Sequence, residues 1–129
     1  MGIDRLLGGS LTALERSMHQ RVDRGAALAA NVANADTPGY RRVEVEFLPE
    51  LERAAGSLER TSPMHIQTPE ANGIRIVQGP RGTRPDRNGV DRDVELVALT
   101  RNAGEFAERA EVMARVFTLR RIAATSEAR

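Results

Sequence analysis

The chain has 129 residues, one domain's worth, and is 40% hydrophobic, but it carries only three phenylalanines, one tyrosine and no tryptophan. Eighteen residues are alanine, while Leu, Ile, Val and Phe together number 29, just above the fraction at which disorder sets in, so the core is thin and lacks large aromatic anchors. Nineteen arginines and 18 acids nearly cancel in every third of the chain, which speaks against a nucleic-acid partner; the absence of cysteine excludes disulfide and thiol chemistry, and no apolar run is long enough to insert in a membrane.

The N-terminal stretch MGIDRLLGGSLTALERS is too charged for a signal peptide, so composition alone points to the cytoplasm. A helix is expected from about Ser10, a plausible N-cap, to Asn34. Leu7, Leu11, Leu14, Met18, Val22, Gly25, Ala29 and Val32 fall at alternating steps of three and four, a heptad-like seam, with Glu15, Arg16, Gln20, Arg21, Asp23 and Arg24 on other faces. Gly25 and the alanines around it form a surface that another backbone can approach closely. Asn31 and Asn34 share a face, and their amides suit a bond to a neighbouring molecule, to the returning C-terminal helix, or to the helix's own end as a cap. The cap is the favoured reading for Asn34, and Asn31 stays open. The helix cannot continue through Asp36-Thr37-Pro38-Gly39. Pro38 holds Thr37 extended, and Gly39 permits the positive φ of a type II turn before Tyr40, whose ring can pack on the helices with its hydroxyl wet.

Three segments follow: residues 1–42, a small middle region 43–89, and residues 90–129. Val43, Val45 and Phe47 alternate with Glu44 and Glu46 as a half-buried strand. A short helix is expected from Pro49 to Leu58, and a hairpin of Met64–Thr68 with Ile74–Gln78 across the Asn72-Gly73 turn. Residues 79–89, GPRGTRPDRNG, lack a phosphate-loop pattern and read as a solvated loop. A second long helix is expected from Asp91, its cap, to about Ala124, with Asp93 and Glu95 in the first turn, Arg120 and Arg121 in the last, and a seam of Leu96, Leu99, Ala103, Phe106, Ala110, Met113, Phe117 and Arg120. The fold class is therefore mostly α: two long terminal helices packed as a coiled-coil-like pair, with a small irregular or β-containing middle. Alanine-rich seams make such a pair marginal alone, so self-association is expected.

Nothing reads as a reaction centre or a cofactor site. His19 and His65 are isolated, with Glu15 and Asp23 one helical turn either side of His19. The acid pairs Asp91/Asp93 and Glu50/Glu52 sit at expected helix starts, where the helix dipole favours them.

The string Asn31-Val32-Ala33-Asn34, then Thr37-Pro38-Gly39-Tyr40, resembles the signature of bacterial flagellar axial proteins, the rod and hook subunits. Residues 88–123, opening with Asn88, Val90 and Asp91 and running through Phe106, Met113 and Phe117, are similar to the C-terminal helix of the same family. The short middle makes the chain most similar to the FlgB-like proximal rod proteins. The resemblance covers both ends, about half the chain. It implies a structural subunit of the basal-body rod that assembles helically through its terminal helices, with these motif residues in subunit packing. It also implies rod subunits FlgC and FlgF, together with FliE and FliF, as partners. Export by the type III apparatus without a cleaved signal, and a periplasmic rod location, follow from the same resemblance and displace the cytoplasmic reading. The alternative is a cytoplasmic helical binding module such as an export chaperone, which has no need of the Thr-Pro-Gly-Tyr string.

Overall fold

Helix formers dominate both ends of the chain, and both ends are helical. The computed structural model describes residues 2–48 and 73–127; the expected Pro49–Leu58 helix, the Met64–Thr68 strand and His65 lie outside them. The order is α1 (Gly2–Ala33), β1 (Val43–Phe47), β2 (Ile74–Gln78) and α2, which spans Arg92–Glu127. α1 runs straight through Gly8-Gly9, so Ser10 is an interior residue and not the cap. Glycine weakens a helix but does not terminate it while its backbone bonds continue. α2 begins as the sequence indicates: Asp91 Oδ1 accepts from the amides of Asp93 (3.1 Å) and Val94 (3.3 Å), satisfying two orphan donors of the first turn.

The helices pack antiparallel. Asn31 meets Glu95, Arg21 meets Glu105, and Ser17 meets Arg109, so position falls along α1 as it rises along α2. β1 and β2 form an antiparallel pair in the register Val43↔Gln78 to Phe47↔Ile74, lying against α1. Ile74–Gln78 is thus a strand, as its alternation suggests, but its described partner is Val43–Phe47. The expected partner Met64–Thr68 falls outside the described residues, and the observed pairing with β1 closes over a longer stretch of chain than an Asn-Gly turn would.

The face each helix buries differs from the apolar seams. On α1 the inward rows are Leu14, Met18, Arg21, Gly25, Leu28 and Val32, continued just past its end by Ala35, whereas Val22 and Ala29 are exposed. On α2 Glu95, Asn102 and Arg109 face inward beside Leu99, Phe106 and Met113, whereas Leu96, Ala103 and Phe117 are exposed. Both sets step by three and four, as a heptad requires. The seams hold in part, at Leu14, Met18, Gly25, Val32, Leu99, Phe106 and Met113, and elsewhere polar residues take inward positions that a count of apolar residues skips. The apolar core among the described residues is small: Leu28, Ala35, Val45, Ile74 and Val90.

Candidate functional site

Where α1 ends and α2 begins, the chain buries polar groups in place of a larger apolar core. Asn31 lies in the last turn of α1 and is 0% exposed. Its Nδ2 donates to the Val43 carbonyl (2.7 Å) and to Glu95 Oε2 (3.0 Å). Its Oδ1 accepts from the Val43 amide (2.9 Å) and the Tyr40 hydroxyl (3.3 Å). The side-chain amide pairs with both main-chain groups of Val43 as a peptide on a neighbouring strand would. Asn31 thereby ties α1, the turn, β1 and α2 together, with both donors and both lone pairs of its amide in use.

Asn88 does the same from the opposite side. It is 1% exposed, and its Nδ2 donates to the carbonyls of Asn34 (2.9 Å) and Thr37 (2.7 Å), while its Oδ1 accepts from the Val90 amide at 2.7 Å. Backbone bonds continue the clasp: Gly39 N to Asp86 O (2.8 Å), Gly89 N to Tyr40 O (3.0 Å) and Gly79 N to Arg42 O (2.7 Å). The turn is the one Pro38-Gly39 prescribes, with Gly39 at φ 72° and Tyr40 N donating to Thr37 O at 3.2 Å. Asn34 follows the last residue of α1, and its Nδ2 donates to the Ala30 carbonyl at 2.8 Å, closing the helix end as a cap. Gly82 lies where the 79–90 loop folds back on itself: a Cβ there would sit 1.7 Å from the Asn88 carbonyl oxygen, so only glycine fits.

Glu95 is 1% exposed and holds α2 into this network. It accepts from Asn31 and, through Oε1, from Arg42 Nε, while Arg42 Nη1 donates to Glu44 Oε2 at 2.7 Å. The hydrogen bond to Glu95 raises the Arg42 pKa above its ordinary value, against a smaller opposing effect of burial. Arg92 and Asp36 add an exposed ion pair at the rim.

Further along the hairpin the inward polar residues pair in turn. Arg21 contacts Glu105 at 2.7 Å and lies over the Phe47 ring, with Arg24 also near that ring. Burial lowers the Arg21 pKa, and the Glu105 charge offsets part of that. Asn102 Nδ2 donates to the Arg21 carbonyl at 2.8 Å, leaving its buried Oδ1 without a partner among the described residues. Gly25 makes room there: an added Cβ would stand 3.2 Å from Asn102 Nδ2.

The structure therefore brings together Asn31, Asn34, Thr37, Tyr40, Asn88 and Val90 from the motif residues, with Asp91 as the adjoining cap. Val32 is half-buried beside them, whereas Ala33, Pro38 and Gly39 are exposed. Phe106, Met113 and Phe117 lie down α2, away from the clasp; the first two are half-buried and Phe117 is exposed. Arg42, Asn102 and Gly82 belong to the same framework without having been singled out from the sequence, which read Glu95 only as a first-turn acid and Arg21 only as a residue off the seam. The signal for three of the inward positions was the seven-residue spacing of Glu95, Asn102 and Arg109, hidden by their polarity. His19 stands 4.0 Å from Glu15 on the open face of α1, and no cluster suited to a metal occurs among the described residues.

The site is thus a helical hairpin locked at one end by bonded side-chain amides, with its buried carboxylate already paired. The profile of the family described as flagella basal body rod protein matches residues 13–41, which cover α1 from Ala13 onward and the turn. The flagellar basal body rod protein FlgB of Escherichia coli K12 is 30% identical over 113 residues, covering 78% of this chain and 81% of that protein. The FlgB protein of Proteus mirabilis HI4320 is 36% identical over 106 residues, covering 71% and 76%. That of Cereibacter sphaeroides is 34% identical over 86 residues, covering 64% and 67%. The chain belongs to the flagellar basal body rod protein family, whose role is structural and not enzymatic.

Proposed function

We propose that this chain is a subunit of the proximal rod, adding helically to its neighbours through the faces that α1 and α2 leave open. The observation that carries the reading is a pair of exposed small and apolar stripes. α1 presents Val22, Ala26, Ala29 and Ala33, and α2 presents Leu96, Thr100, Ala103 and Ala107, each at steps of four and three. Alanine at that rhythm lets a further helix come close, and few apolar residues among those described are buried, which leaves surface still to cover. Neighbours of the same kind, and the FlgC, FlgF, FliE and FliF components of the basal body, are the partners this role calls for. Passage through the type III export route without a cleaved signal, to a rod crossing the periplasm, belongs to the same proposal.

Ala29→Arg and Ala103→Arg each place a charge on one stripe without touching a buried residue. Both variants should keep the helical circular dichroism of the parent. Both should fail to restore swimming to a strain lacking this chain, and should no longer cosediment with rod components. Normal swimming by the two variants would overturn the assembly reading.

A further inference from the structure

The chain contains two Asn-Gly sequences, Asn72-Gly73 and Asn88-Gly89. Asparagine before glycine is prone to cyclise, because glycine has no Cβ to hinder approach of its nitrogen to the side-chain carbonyl carbon. At Asn88 the Gly89 nitrogen would lose its proton and bond to Cγ. The Cγ–Nδ2 bond would break, and ammonia would leave. Water then opens the resulting succinimide at either carbonyl, giving aspartate or isoaspartate, and no oxidant or reductant takes part.

The closed clasp opposes each part of this reaction. The Gly89 amide is held on Tyr40 O at 3.0 Å. Asn88 Nδ2 is held by two carbonyls and Oδ1 by the Val90 amide, all within 2.9 Å, and the residue is 1% exposed. Cyclisation needs the Gly89 nitrogen to leave Tyr40 and turn toward Cγ, which would move backbone that lies close against Gly82. The product also cannot re-form the clasp. An aspartate carboxylate has no proton to give to the Asn34 and Thr37 carbonyls and would set a buried charge against two oxygens, and isoaspartate lengthens the backbone by a methylene.

We propose that Asn88 is a deamidation site guarded by the clasp: while the chain is open Asn88 converts to aspartate or isoaspartate, and the converted chain can no longer close. The time a subunit spends open is thereby limited chemically, and folding protects the residue that folding requires. The proposal rests on the geometry around Asn88 and holds whatever the chain assembles with.

The test is to age the full chain at neutral pH with and without denaturing urea, and to follow the peptide containing Asn88 by mass and by isoaspartyl methyltransferase labelling. Asn72 serves as the chemical reference in urea, where both sites should react at comparable rates. In buffer Asn88 should react at least tenfold more slowly than in urea, and tenfold corresponds to about 1.4 kcal/mol of opening free energy. Gly82→Ala, which forces the loop apart, should bring the Asn88 rate in buffer close to the rate in urea. Asn88→Asp should leave the Gly39 and Gly89 amides unprotected in hydrogen exchange. Equal Asn88 rates in buffer and urea, a Gly82→Ala chain as slow as the parent, or protected Gly39 and Gly89 amides in Asn88→Asp would each overturn the proposal.

Discussion

Replacing Asn31 by alanine tests whether the clasp holds the hairpin or merely accompanies it. The substitution removes four hydrogen bonds at a fully buried position: two to the Val43 backbone, one to Glu95 and one from Tyr40. Both main-chain groups of Val43 lose the partner that Asn31 supplied. A buried polar group left unpaired costs about 1–3 kcal/mol. Glu95 keeps Arg42, and Tyr40 can turn to water, so the weight falls on the two Val43 groups and on the weakened carboxylate. The expected loss is roughly 3–5 kcal/mol, a large part of the 5–15 kcal/mol of a typical domain. Urea unfolding followed by circular dichroism reads the magnitude, and hydrogen exchange at the Val43 amide reads the place. Asn31→Asp is nearly isosteric but turns two donors into a second carboxylate beside Glu95, so it should be at least as damaging as alanine. A loss below about 1 kcal/mol in Asn31→Ala, with Val43 still protected, would refute the reasoning, because the two Val43 groups would then have no need of the partner that Asn31 supplies.

Glu95→Gln keeps the acceptor for Asn31 but removes the charge facing Arg42; it should cost about 1–3 kcal/mol in urea unfolding, the worth of a charge-assisted hydrogen bond. Asn102→Leu deletes a buried oxygen that has no partner among the described residues, while the Arg21 carbonyl keeps its place in the α1 ladder. The melting temperature should hold or rise, and a fall equivalent to more than about 1 kcal/mol would show that Asn102 carries more than its single visible bond.

Much of the fold was legible because local chemistry and tertiary structure agree. The Asp91 cap, the Pro38-Gly39 turn and the long helical periodicities are short-range features, and each stands where its residues put it. The inward rows were less legible. Val22 looks like a seam residue and Arg21 like a surface one, yet Arg21 packs inward because Glu105 and Phe47 receive its guanidinium from other elements. No count within α1 reports those partners. Asn31 and Asn88 were visible as motif residues, but their roles depend on pairings 64 and 54 positions apart in the chain, Asn31 with Glu95 and Asn88 with Asn34. β2 was placed correctly, and its pairing with β1 went unforeseen for the same reason, while Met64–Thr68 lies outside the described residues. Its alternation is local, and its partner β1 is not.

The arrangement separates two tasks that one apolar seam would merge. Hydrogen bonds are directional, so the clasp fixes the angle at which α1 and α2 leave the turn; displacing Glu95 or Asn31 by one position would strand buried donors and acceptors. Apolar contacts are non-directional and scale with area, and the described surface of α2 leaves Val97, Val112, Leu119 and Ile122 at least half exposed. Near the far end of the hairpin Gly8 and Gly9 have nothing among the described residues within 4 Å of where a Cβ would stand. A subunit that met its neighbours through such unspecific surface would depend on the clasp to present the surface at one angle. Under the assembly reading, then, Asn31→Ala should impair incorporation more than its distance from either stripe suggests. An Ala103→Arg chain should fail to assemble with its clasp intact, and hydrogen exchange at Val43 distinguishes the two failures.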